Sequence, residues 1–221
     1  MLQLHYFPGN ASLIAHIVLE EIAAPFALQY VDRANAAHKS PDYLALNPNG
    51  LIPVLIDTGT PGEGGAPLVL YETAAICMHL ADTHPGAGLL PRLGSAERAE
   101  AYKWIAWCAS TLQSALIVYF YPERWADDAA GAAVVKAHAE RRIDALLDQI
   151  DAQLARRGGP WLLGDDFGLA DPYAFVLCRW TRGFGRPARS LPHVGPWLER
   201  TLARPAVQRA FATEQLGAPF V

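Results

Sequence analysis

Cysteine is scarce in this chain, and what there is stands apart. Cys77, Cys108 and Cys178 lie inside apolar stretches without CxxC spacing, a pattern that suggests neither a disulfide framework nor a zinc site and suits small buried hydrophobes. The seven histidines likewise show no HExxH or other ligand spacing, so no metal is expected. Charge is thin: 18% of residues carry it, for a formal net charge of −4. No Lys/Arg stripe stands out and the isoelectric point is near 5.9, which argues against a nucleic-acid partner. Apolar runs stop well short of a bilayer span, and the opening MLQLHYFPGN has neither a basic n-region nor an apolar h-region. No membrane partner is therefore expected, and the expected location is cytoplasmic.

What is present is a chain of 221 residues, 52% of them hydrophobic, enough for one large domain or two modest ones. Its first part alternates extended and helical patterns. Leu2 to Tyr6 reads as a strand, followed by a turn at Pro8 and Gly9. Ser12 stands at an N-cap position before Leu13, Ile14, Ile17, Val18 and Ile22 at helical spacing. Phe26 to Val31 is a second strand, making a βαβ unit with the first. Pro41 to Leu46 gives a short helix, Pro53 to Ile56 and Leu68 to Tyr71 two more strands, and Glu72 to Thr83 another helix. The Gly-rich stretch Gly59 to Gly65 lacks the Gly-Lys-Ser/Thr ending of a phosphate loop and reads as a hairpin connection. The order β-α-β-α-β-β-α indicates a small α/β layer with a mixed sheet.

Beyond His84, Pro85, Gly86 and Pro91 only helical patterns follow: Ser95 to Tyr121, Gly131 to Arg157, Asp171 to Phe184, His193 to Leu202 and Pro205 to Thr213. Ser95 and Glu97 suit a helix start, Pro122 ends the long helix, and Gly158, Gly159 and Pro160 end the next. The expected organisation is an α/β domain over 1–84, a linker over 85–94 and an all-α domain over 95–221.

Three segments can carry chemistry. In Asn47-Pro48-Asn49-Gly50-Leu51-Ile52-Pro53-Val54-Leu55, Pro53 opens a strand, where a missing N–H is harmless. A cis Ile52–Pro53 bond would instead expose the Ile52 backbone for pairing with a peptide ligand. Glu72 and Thr73 open a helix directly after a strand. They either cap it or receive an α-amino acid head group, the carboxylate at the helix N-terminus and the ammonium at Glu72. Asn10-Ala11-Ser12 opens the first helix, where a hydroxyl and the helix end favour a thiolate; Tyr6 is the competing hydroxyl. His16 follows Ser12 by one turn, and His38-Lys39 lies in a loop able to receive a carboxylate.

Together these segments resemble the glutathione transferase superfamily, and the resemblance spans the whole chain. It rests on Asn47 to Leu55 with Tyr71-Glu72-Thr73-Ala74-Ala75-Ile76, similar to the family's cis-proline loop and its Glu-Ser/Thr pair. The resemblance implies a thioredoxin-like N-terminal domain, an all-α C-terminal domain and a homodimer serving detoxification. It also implies glutathione as co-substrate, with Ile52 beside the cis Pro53 pairing the cysteinyl backbone, Glu72 and Thr73 holding the γ-glutamyl end, and His38 with Lys39 taking the glycyl carboxylate. Pro8-Gly9-Asn10-Ala11-Ser12-Leu13 is similar to the Pro-Gly-Ala-Cys-Ser-Leu opening of bacterial beta-like members, with Ala11 at the cysteine position. Ser12 is then the first choice for activating the sulfur, Asn10 a second donor and Tyr6 a rival. Phe7, Ser110, Gln113 and Trp180 are candidates for the electrophile pocket. Gly168-Leu169-Ala170-Asp171 stands where the family has a Ser/Thr-x-x-Asp capping box, so a weaker cap is expected there. The activity implied is conjugation of glutathione to small electrophiles. Glutathione-dependent reduction of disulfides or peroxides is one alternative, and a non-catalytic binding module of the same fold another.

Overall fold

A computed structural model describes all of Met1–Val221. The chain divides into two compact units, Met1–Leu89 with Arg204–Gly217, and Leu90–Ala203 with Ala218–Val221.

The first unit holds β1 (Leu2–Tyr6), α1 (Ser12–Ile22), β2 (Phe26–Tyr30), α2 (Pro41–Leu46), β3 (Val54–Pro61), β4 (Pro67–Tyr71) and α3 (Thr73–Thr83). Its four strands run in the order β2-β1-β3-β4. β1 pairs parallel with β2, as the βαβ pattern requires, and β3 is antiparallel to both its neighbours. β3 is longer than its apolar run suggests. It continues to Pro61 through a register shift after Asp57, so the hairpin connection shrinks to a short 3₁₀ turn at Glu63–Gly65.

Along α1 every residue from Ser12 to Leu19 is buried. A helix buried on all sides needs cover beyond one sheet face. That cover comes from α3 and from α9 (Pro205–Thr213), a helix that periodicity alone groups with the helical half but whose contacts are with α1. Two ion pairs fasten it: Arg204 forks onto Glu21 at 2.6 and 2.8 Å, and Arg209 reaches Glu20 at 2.6 Å. Leu4, Leu13, Ile14, Ile17, Leu55, Ile76 and Leu80 are fully enclosed in this core.

The second unit is helical: α4 (Ala96–Trp107), α5 (Gln113–Phe120), α6 (Ala129–Arg157), α7 (Ala170–Trp180) and α8 (Val194–Leu202). The long helix expected from Ser95 is interrupted by a π-helical turn at Cys108–Leu112, which has no periodicity signature of its own. Ser95 caps α4 through the Arg98 N–H, and Gly158, at φ 68°, ends α6 in the left-handed conformation. At α7 the missing Ser/Thr cap is offset by Asp171. Its fully buried carboxylate accepts from the backbone of Gly168 and Leu162 and from Trp197 Nε1, each at 2.9 Å.

In the first unit, Asp57 of β3 is tied to α3 by His79 at 3.0 Å and also accepts from Thr60 and the Gly59 N–H. Burial pushes its carboxyl up, but these bonds outweigh burial and bring it down from 3.8 to about 2. A carboxylate depressed by folding contributes stability above its unfolded value and loses it as pH falls through the folded one. The stability contribution, of order 2 kcal/mol, should therefore fade between about pH 4 and pH 2. Urea unfolding across that range checks this. Asp57→Asn should be less stable than the wild type at neutral pH and converge with it near pH 2; parallel curves would contradict the assignment.

Candidate functional site

The sheet register brings the chemistry-bearing segments together. His5 of β1 lies opposite Val54 of β3, and Val54 opposite Tyr71 of β4. The turn after β1, the segment before β3 and the start of α3 thus converge at one end of the sheet.

Ile52–Pro53 is cis, and ladder pairing of β3 begins only at Val54, so the Ile52 backbone stands just outside the sheet. Its side chain packs on the cluster of Val31, Tyr43 and Val54. The loop before it is held by two residues whose importance was not apparent from local pattern. Asn47, nearly enclosed, donates to the Leu51 carbonyl and accepts from the Asn49 N–H. Tyr43 Oη donates to the same Leu51 carbonyl at 2.9 Å, and burial raises its hydroxyl well above the usual range. Gly50 completes the turn at φ 57°, where a Cβ would lie 2.7 Å from Lys39 Nζ and 2.8 Å from the His38 carbonyl. Lys39 in turn donates to the Asn49 carbonyl. The His38 imidazole has its pKa lowered by burial and by the neighbouring cations Arg33 and Lys39. Arg33, absent from the sequence-derived candidates, thus adds to a positive ledge beside this loop.

Glu72, exposed, precedes α3 with φ 71° and ψ 110°. A glutamate at positive φ is strained backbone, the kind retained at binding sites. Thr73, the first residue of α3, is buried, and the N–H groups of this first turn point past Glu72.

The turn Phe7-Pro8-Gly9-Asn10 leads into α1. Ala11, already in the right-handed helical region, is its N-cap and provides no side-chain cap. Ser12 is the first residue of α1 and not, as its position before the helical run suggests, its N-cap. Its hydroxyl is fully buried, accepts from the Phe7 N–H at 3.2 Å and gives its one proton to the Phe7 carbonyl at 3.1 Å. It is therefore not the helix cap. Asn10 is partly exposed. Its Oδ1 accepts from the Ala11 N–H, and the residue stands at the positive end of α1. Tyr6 stacks edge-on against His16 and Tyr30; burial, with Glu214 and Tyr30 nearby, raises its hydroxyl and keeps it a phenol. His16 does not open onto this site: it is fully buried, with Nδ1 2.8 Å from Glu214.

On the helical unit, Ser110 lies in the π-turn and gives its proton to the Ala106 carbonyl, and Gln113 accepts from Tyr173 Oη. Trp180 adjoins an aromatic group of Tyr119, Phe120 and Phe184 that the sequence did not single out. No group of three His, Cys, Asp or Glu side chains able to hold a metal ion is present. No helix is long and apolar enough to cross a membrane.

Known proteins match this chain over nearly its whole length. A family model described as "Glutathione S-transferase, N-terminal domain" matches residues 11–83, and "Glutathione S-transferase, C-terminal domain" matches 117–204. Glutathione S-transferase GST-4.5 of Xanthomonas campestris is 34% identical over 217 residues, covering 97% of this chain and 100% of that protein. The chain belongs to the glutathione S-transferase family. Its fold is that family's thioredoxin-like domain with a helical C-terminal domain. A glutathione transferase homolog from Sulfitobacter, solved with bound glutathione, is 33% identical, superposes with a TM-score of 0.85 and is covered to 99%, with 98% of this chain. Disulfide-bond oxidoreductase YfcG of Escherichia coli is 28% identical over 98% of this chain and 97% of its own length.

Because Ser12 Oγ accepts from the Phe7 N–H while the Phe7 carbonyl also accepts from the Asn10 N–H at 3.2 Å, Ser12→Ala in this transferase-family member strands the Phe7 N–H. The expected loss is about 1–3 kcal/mol of unfolding free energy, read as a lower urea midpoint at unchanged slope. An unchanged midpoint would return Ser12 to the role of free donor.

Proposed function

We propose that the protein is a glutathione transferase that ionises the glutathione thiol with Asn10 at the start of α1 and transfers the sulfur to a small electrophile. The observation that carries this reading is the strained Glu72 next to buried Thr73, set by sheet register beside the unpaired end at Ile52. That geometry suits an α-amino acid head group and a peptide backbone side by side. In the proposed complex, the cysteinyl backbone of glutathione pairs with Ile52. Its γ-glutamyl carboxylate meets the α3 N-terminus and Thr73, and its ammonium meets Glu72. The glycyl carboxylate lies at His38 and Lys39, where Arg33 adds positive charge.

An ordinary thiol ionises near 8.5, so making the bound sulfur mainly thiolate near neutrality requires lowering it by about two units, or ~2.7 kcal/mol. A hydrogen bond to an ion contributes about 1.5–3 kcal/mol and a helix end about 0.3–1. Asn10 Nδ2 and the α1 terminus are together sufficient. The thiol proton leaves to solvent, the thiolate lone pair forms a bond to the electrophilic carbon, and the leaving group departs with its electron pair. Within the first unit, Phe7, tilted against Tyr30, offers apolar surface beside the turn.

We also propose a homodimer, supported by exposed Val69 and Tyr71 on the edge strand β4. A cytoplasmic setting is supported by three free, buried cysteines.

Asn10→Ala should raise the ionisation of the bound thiol by about one pH unit and lower turnover near neutrality roughly tenfold. Glu72→Gln should mainly raise KM for glutathione. A chloro-nitrobenzene assay with ultraviolet titration of the thiolate measures both. Faster turnover of a small disulfide than of the chloro-nitrobenzene would make the protein a reductase. Failure to bind immobilised glutathione would make it a non-catalytic module.

A further inference from the structure

The Phe7–Asn10 turn is fastened a second time, from the far end of the first unit. Glu214, directly after α9, is enclosed: its side chain has no exposure and the residue is 3% exposed. One carboxylate oxygen, Oε2, accepts from the Gly9 N–H at 2.8 Å, and the other, Oε1, lies 2.8 Å from His16 Nδ1. His16 is itself fully buried, and its Nε2 has no hydrogen-bond partner, with Glu20 4.0 Å away and the rings of Tyr6 and Phe26 packed against it. A buried carboxylate is tolerated only with its lone pairs satisfied. Here one of the two groups satisfying it is the backbone of the turn that precedes Asn10.

We propose that Glu214, oriented by His16, is a positioning residue for sulfur activation: it holds Gly9 at φ 67° so that Asn10 Nδ2 is aimed at the glutathione sulfur. The Asn10 side chain bonds only to its neighbour Ala11, and its backbone N–H donates to the Phe7 carbonyl at 3.2 Å, so its direction depends on where Gly9 and Phe7 are held. Ser12 holds Phe7, and Glu214 holds Gly9. The C-terminal helix thereby acts on the chemistry without touching substrate.

This inference rests on Asn10 as the sulfur donor, so the experiment first establishes that bound glutathione in the wild type titrates as a low-pKa thiolate by ultraviolet absorbance. Glu214→Ala should then raise that titration by about one pH unit and lower kcat/KM about tenfold near neutrality, with glutathione KM changed by no more than about twofold. Glu214→Gln keeps the volume and one acceptor, should shift it in the same direction by less, and serves if the alanine variant does not fold. Glu21→Gln removes a comparable α1–α9 contact without touching Gly9, and should lower stability while leaving the thiol titration in place. A wild-type thiolate that titrates identically in the Glu214 variants overturns the inference, as does an equal shift from Glu21→Gln. Absence of a low-pKa thiolate in the wild type instead removes the sulfur assignment beneath it.

Discussion

Complete burial of the first two turns of α1 governs the rest of the first unit. A helix enclosed by the sheet, α3 and α9 can keep polar side chains only where each finds an internal partner. Two are enclosed there, Ser12 and His16, and their partners converge on the same loop. Ser12 closes both hydrogen bonds onto Phe7, and His16 meets the carboxylate that grips Gly9. The demand for satisfied polar groups in the core thus fixes a surface turn, and that turn presents Asn10 at the positive end of α1.

The end of the sheet proposed to take glutathione obeys a similar logic. Its elements are backbone features held by buried side chains: Ile52 by Asn47 and Tyr43 through the Leu51 carbonyl, and Glu72 by the switch from β4 into α3. The strain at Glu72, of order 1–3 kcal/mol, is retained because the buried first turn of α3 and the β4 register determine the chain on both sides of it. Peptide recognition by exposed backbone needs such rigidity, since an unordered loop would lose its entropy on binding.

Much of this was legible in the sequence. The strands and helices of the first unit follow from alternation, helical spacing and punctuation by Pro and Gly, and the motif around Ile52–Pro53 and Glu72–Thr73 pointed to glutathione. Three things were not legible. Serine before a helical run reads as a cap, yet here the backbone turned helical one residue earlier and the hydroxyl folded back on Phe7, a choice made by burial and not by propensity. Glu214 lies 198 residues from His16, a separation no local spacing encodes, and without it His16 resembled a site residue. The π-turn in the long helix costs one irregular turn and leaves the apolar pattern intact, so periodicity ran straight through it.

The central claim is that sulfur activation belongs to Asn10, with Ser12 serving the turn. A crystal structure of the protein with glutathione bound tests it most directly. The account requires the sulfur within about 3.2 Å of Asn10 Nδ2 while Ser12 Oγ remains on Phe7. A sulfur bonded to Ser12 Oγ or to Tyr6 Oη, with Asn10 turned away, would contradict it.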